Sequence, residues 1–189
     1  IDCLGGNQYR VRVQFYRDCN GINIGGTERV NISSASCGQN INLTVTRIPG
    51  SPIEVSPLCP SSLSNSACNG GTLPGVEQHI YEGIITLPAQ CNDWVFSFAE
   101  PARNNAITTL NNPGSQDLFI ETHFDNLNFP CNSTPRFSSL PVPYVCINQP
   151  FLYNHGATDP DGDSLVYMLI DALGDNGNVV SYAGGYSGA

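Results

Sequence analysis

Apolar and polar side chains alternate along several stretches of the chain. Residues 9–18 set Val11, Val13 and Phe15 against Arg10, Arg12 and Gln14, the period of two that lets a strand bury one face and wet the other. The same alternation predicts strands at 27–33, 41–48, 79–87, 93–98 and 117–125, then at 143–154 and 164–170, with a fainter one at 179–182. No stretch keeps a 3.6-residue period for three turns, and 19 Gly and 14 Pro punctuate the chain, which suits short strands and tight turns and suits long helices poorly. The expected fold class is all-β: a disulfide-stapled antiparallel β-sandwich followed by an Ig-like or cadherin-like β segment. Trp94 alternates with Phe96 and Phe98, so a core tryptophan is expected, with a sugar-stacking platform as the rival reading.

Two breaks interrupt the pattern. Residues 49–76 lack periodicity and hold five prolines together with Cys59 and Cys68. A loop this long needs pinning or a function, and a local Cys59–Cys68 bridge is the expected pin. Pro130, Pro135, Pro141 and Pro143 then mark a junction, giving a domain over 1–134 and a second over 135–189. The second is short for an immunoglobulin-like sandwich of about 100 residues, so it is expected to be truncated or to be completed by another chain.

Charge narrows the partners. The chain has a net charge of −9 and all 7 basic residues are Arg. Nucleic acid and anionic membrane surfaces are repelled by such a surface. No apolar run reaches the ~18 residues of a membrane span, so no direct membrane insertion is expected. The 8 cysteines form no Cys-x-x-Cys pair and have no histidine at zinc-finger spacing. Dispersed and even in number, they read as disulfides formed in an oxidising compartment. A strand at 9–18 separates Cys3 from Cys19 by roughly 30 Å at ~3.4 Å per residue, which rules against that pair. If 27–33 hairpins back on the first strand, Cys37 returns to Cys3; a Cys131–Cys146 bridge would close the junction.

The sharpest motif is Asp159-Pro160-Asp161-Gly162-Asp163. Carboxylates at alternate positions around a glycine turn can converge on calcium, which takes six to eight oxygens. The spacing is not that of an EF-hand, so Asp159, Asp161 and Asp163 would need ligands from elsewhere; the rival is a solvated acidic turn. Arg103-Asn104-Asn105 reads either as a hydrogen-bonding surface for sugars or a neighbouring subunit, or as a loop held by Asx turns. His79, His123 and His155 are far apart and suggest no nucleophile–base pair, so the chain is not expected to be an enzyme.

The runs CLGGNQYRVRVQFYRDCNG (3–21), CNGGTLPGVEQHIYEG (68–83), RNNAITTLNNPGSQDLFIE (103–121) and PVPYVCINQPFLYNHGATDPDGDSLVY (141–167) together resemble a module of large Bacteroidetes cell-surface proteins that carry gliding-motility-associated sorting domains. The family places a Cys-Cys pair before its Arg-Asn-Asn motif, where this chain has Glu100, Pro101 and Ala102. The resemblance implies type IX secretion to the cell surface, tandem Ig-like or PKD-like domains, and work in adhesion, gliding motility or surface filaments. ATDPDGDSLVY also resembles cadherin-like repeats, in which such aspartates hold calcium at domain junctions. The expected function is thus an extracellular structural or adhesive module, a filament subunit assembled by strand-type contacts, with homo-oligomeric or same-protein partners. The alternative is a carbohydrate-binding module using Trp94 or a Tyr182–Tyr186 cluster.

Overall fold

The computed structural model describes residues 1–141, 148, 150–154 and 156–188. Its strands are β1 (Asp2–Gly5), β2 (Gln8–Asp18), β3 (Thr27–Ser34), β4 (Gln39–Arg47), β5 (Ile53–Glu54), β6 (Val76–Thr86), β7 (Trp94–Glu100), β8 (Leu118–Phe124), β9 (Arg136–Phe137) and β10 (Ala157–Thr158). The six strands predicted within 9–125 are all present, as β2, β3, β4, β6, β7 and β8. The fold is all-β.

One antiparallel sheet runs in the order β1-β2-β6-β4-β3-β7-β8, with β5 pairing beside β6. The longest ladder joins β2 to β6 from Gln8↔Thr86 to Asp18↔Val76. It sets Arg12 directly opposite Glu82, and the two make a 2.7 Å hydrogen-bonded ion pair. Only Thr46↔Glu82 and Arg47↔Tyr81 join β4 to β6, and there the sheet folds over on itself. Gly83 permits the crossing, since a Cβ there would meet Val45 Cγ1 at 3.0 Å and the Thr44 carbonyl at 3.1 Å.

The curl brings distant strands face to face. Tyr9 of β2 meets Phe124 of β8 edge-on at 5.0 Å between centroids, and Phe15 meets Phe98 of β7 at 6.4 Å. Between the two layers lie Val11, Val13, Tyr81, Val30, Ile32 and Val45. Each such side chain contributes roughly 1.5–3 kcal/mol on burial. Trp94 is completely buried in this core, as the alternation predicts.

The disulfides are Cys3–Cys131, Cys19–Cys68 and Cys37–Cys91, and each corrects an expected pairing. Cys3–Cys37 does not form because β3 pairs with β4 and β7 rather than with β2. The Ser33↔Val95 register carries the β3–β4 turn to the start of β7, where Cys91 waits. Cys59–Cys68 does not form because the last β2–β6 pair, Asp18↔Val76, brings Cys19 beside Gly75. A Cβ on Gly75 would touch Cys68 Sγ at 2.6 Å, so Cys68 already lies on that spot; Cys59 is exposed and free. Cys131–Cys146 is excluded because Cys131 is joined to Cys3, and Cys146 lies outside the described residues. Segment 131–134 runs along β1, with the Cys3 N–H donating to Ser133 Oγ and the Thr134 N–H to the Ile1 carbonyl.

The 49–76 excursion is ordered, but its pin is Cys19 rather than Cys59. The Glu54 carboxylate accepts from Ser56 Oγ at 2.7 Å and from Asn69 Nδ2 at 2.8 Å. Hydrogen bonds from Ser66 and Ser56 hold that carboxyl below its usual range.

Beyond residue 134 the described residues contain one two-stranded ladder, β9–β10, and the isolated bridges Phe119↔Leu173, Leu173↔Val179 and Leu110↔Tyr182. The strand predicted at 164–170 is absent: these residues find no ladder partner. The one predicted at 143–154 falls mainly outside the described residues, and 150–154 form no strand.

Candidate functional site

A cleft of about 570 Å³ opens at the far end of β2, between the 17–24 turn and the loop after β7. Arg17 builds the first wall. Its guanidinium donates to the carbonyls of Ile22 (2.6 Å) and Gly21 (2.7 Å) and to Asn23 Oδ1 (2.8 Å), and pairs with Glu77 at 2.5 Å. Arg103 builds the second wall by donating to the carbonyls of Leu173 (2.6 Å) and Asp117 (3.2 Å). Asn104 Oδ1 accepts the Ala106 N–H at 2.8 Å, the Asx turn that the bland reading of Arg103-Asn104-Asn105 expects. The Asn105 side-chain amide packs against Gly114, where a Cβ would displace it.

Both arginines of the cleft are therefore spent on loop carbonyls. Two titratable groups of its lining have a displaced pKa: Glu100, pushed up by burial and then by Glu28 and Asp117 nearby, and Tyr16, whose hydroxyl is also pushed up by burial. Burial also raises Glu28. The lining includes the apolar Phe15 and Leu118 and the amides of Asn20 and Asn105. Such a cleft suits a neutral hydrogen-bonding ligand better than an anion.

Behind the cleft lies a buried polar chain. His79 is 2% exposed, with Nε2 2.8 Å from Glu77 Oε1 and Nδ1 3.3 Å from Arg47 Nη1. Burial disfavours the Glu77 carboxylate, but hydrogen bonds from His79 and Arg17 outweigh it and hold the group below its usual range. The ring stacks over Tyr81, whose hydroxyl donates to the Gly25 carbonyl at 2.7 Å. These contacts brace the turn that forms the cleft wall. His123 is exposed beside Glu121, and His155 lies outside the described residues.

The acidic loop is built differently from its expectation. Asp159 turns inward, its Oδ1 accepting the N–H groups of Asp161 (2.8 Å) and Asp163 (3.2 Å) while Gly162 takes φ +87°. Asp161 Oδ2 accepts the Ser133 N–H at 2.6 Å. The Asn132 amide nitrogen lies 3.1 Å from Asp161 Oδ2 and 3.3 Å from Asp163 Oδ2. Among the described residues no three His, Cys, Asp or Glu side chains gather as a metal group. The convergent set is instead Asp161, Asp163 and the Asn132 amide, with Asp159 acting as the brace of the loop. Asn132 gives no local signal in the sequence; only the Cys3–Cys131 bridge and the Ser133 contact bring it here.

Trp94 is no platform for a sugar: its Nε1–H donates to Asn126 Oδ1 at 3.1 Å inside the core. The Tyr182 hydroxyl accepts the Ala172 N–H at 2.9 Å, and Tyr186 is exposed. No protein-family model, curated protein or solved structure matches the chain.

Proposed function

We propose that this chain is an extracellular structural or adhesive module of a bacterial surface protein, non-catalytic, and a subunit of a surface filament assembled through strand contacts. The observation that carries the reading is the pairing of a sheet stapled by three long-range disulfides with an apolar segment, 164–170, that the module leaves uncovered. Disulfides of this kind belong to oxidising compartments, and no helix of the described residues is long and apolar enough to cross a membrane. The sequence resemblance to Bacteroidetes surface modules points the same way, towards type IX secretion and a role in adhesion or gliding.

Calcium enters this proposal as a stiffener of the acidic loop. It would be held by Asp161 and Asp163 and, with its amide turned over, by the Asn132 oxygen, drawing segment 131–134 and the loop together. Asp159 would keep the loop in shape from within. Electron microscopy of the native protein, with calcium and then with chelator, tests both parts. Ordered filaments support the subunit reading, and loss of order in chelator supports the calcium role; dispersed particles in both conditions sink the filament.

The second reading, a carbohydrate-binding module, is favoured by the cleft beside Glu100. Isothermal titration with neutral oligosaccharides tests it, and Asn105→Ala is expected to abolish any heat observed. Tryptophan quenching is the wrong probe, because Trp94 is enclosed.

A further inference from the structure

Residues 166–170 are five large apolar residues in succession, exposed by 86, 58, 79, 85 and 67%. A short, continuous apolar run of this kind reads as a strand covered on both faces, yet neither face is covered here. Among the described residues, the backbone of 164–170 makes no backbone hydrogen bond. Both ends are nonetheless fixed. Asp161 is held by the Ser133 N–H, and the Leu173 carbonyl accepts the Phe119 N–H at 3.2 Å. The segment is a strap tied at two points and bare between them.

An edge of matching character lies on the same molecule. Along one side β8 pairs with β7 over its whole length. On its other side, among the described residues, only Phe119 is taken, by Leu173, which leaves the edge from 120 to 124 without a described partner over roughly 17 Å. Ile120 shares the core-side face with its ladder partner Phe98 and is 51% exposed for want of a neighbouring strand. An open edge with an uncovered apolar residue is a template for strand pairing.

The strap does not take its own edge, for a reason visible at the point of departure. Continuing the antiparallel Leu173↔Phe119 bridge by two residues would set Asp171 directly opposite Glu121, and like charges so placed oppose pairing. Asp171 instead accepts the Gly188 N–H at 3.1 Å, and the chain leaves β8 there. A strand arriving from another molecule is not tied to that register.

We infer that residues 164–170 are an edge strand given to the open β8 edge of a second copy of this chain. The inference deepens the structural-subunit reading and names its contact. Val166, Met168 and Ile170 form one apolar face and Leu165, Tyr167 and Leu169 the other, so either face covers Ile120 and leaves the opposite one for a further copy. The net charge of −9 makes association of copies stronger as salt screens their repulsion.

Mixing two single-site variants, both made in protein carrying Cys59→Ser and Cys146→Ser, tests the contact. One carries Met168→Cys on the strap and the other Thr122→Cys on β8; a short bis-maleimide joins them, and peptide mapping locates the link. The expected result is a 168–122 heterodimer several-fold above that from a Ser61→Cys control, rising with salt. No excess over the control overturns the inference, as does a double variant that links only within one chain. Circular dichroism confirms that each variant is folded before mixing. Filaments of the wild-type protein without the 168–122 link overturn the strap contact and leave the subunit reading standing. The link without filaments keeps the contact and removes the filament.

Discussion

Residues 1–134 and residues 135–188 carry apolar side chains in comparable patterns but dispose of them in opposite ways. In the first region the alternating residues of β2, β3 and β7 close on one another, and all three disulfides lie there. In the second, Val180 is the one large apolar side chain described as buried, while Phe137, Phe151, Leu152 and the 166–170 run face outward. Alternation thus reports that a segment can be a strand. Whether it becomes one depends on a partner edge, which the first region supplies from within itself.

The largest effect that would sharpen this contrast is loss of the Cys3–Cys131 bridge. Replacing both cysteines by serine removes a link spanning 128 residues and is expected to cost about 4 kcal/mol, read as a fall in the midpoint of urea unfolding. Cys59→Ser, at an exposed free thiol, is expected to leave the midpoint in place.

Next comes Asn126. It is buried, with Oδ1 accepting the Cys91 N–H and the Trp94 Nε1–H and Nδ2 donating to the Ala89 carbonyl at 3.2 Å. Asn126→Ala leaves two buried donors and an acceptor without partners, and we predict a loss of about 2–3 kcal/mol, measured by chemical denaturation.

Two acidic groups then give opposite pH signatures. Hydrogen bonds from Ser34 and Ser36 pull Asp93 from 3.8 to about 2. Its contribution is complete above the unfolded value and is lost as pH falls through the folded one. Asp93→Asn is therefore expected to flatten the stability curve between about pH 4 and pH 2. Glu100 is displaced upward by burial, then by Glu28 and Asp117, so its ionised form costs stability at neutral pH and the cost disappears as pH falls through its raised value. We predict that Glu100→Gln stabilises the protein at pH 7 and has no effect in acid; thermal melts at the two pH values check it.

The smallest effect belongs to the strap. Met168→Ser and Leu169→Ser alter exposed side chains with no role in the module's own core and are expected to shift its stability by less than about 0.5 kcal/mol. A marked drop in melting temperature would mean that the strap packs within its own molecule.

The strands of the core were legible because period two is a local property. Their partners were not. β2 pairs with β6, some sixty residues on, rather than with the next strand, β3, and that one long-range choice displaced the expected Cys3–Cys37 and Cys59–Cys68 pairings. β5, β9 and β10 escaped notice because each is two residues long, too short for a period to register. In the acidic loop the sequence supplied three aspartates at even spacing but not their orientation. Backbone N–H groups claimed Asp159, and Asn132, brought in by a distant bridge, took its place.

The Cys3–Cys131 bridge also decides how the chain answers to being pulled. Tension entering the backbone before Cys3 and leaving after Cys131 crosses the sulfur–sulfur bond and bypasses everything between them, so the curled sheet stays slack. Extension is then confined to residues beyond 131, of which 132–188 would pay out at most roughly 200 Å when drawn straight. Under traction the stapled part keeps its shape as a rigid bead, and the part that carries the uncovered strap acts as its extensible tether.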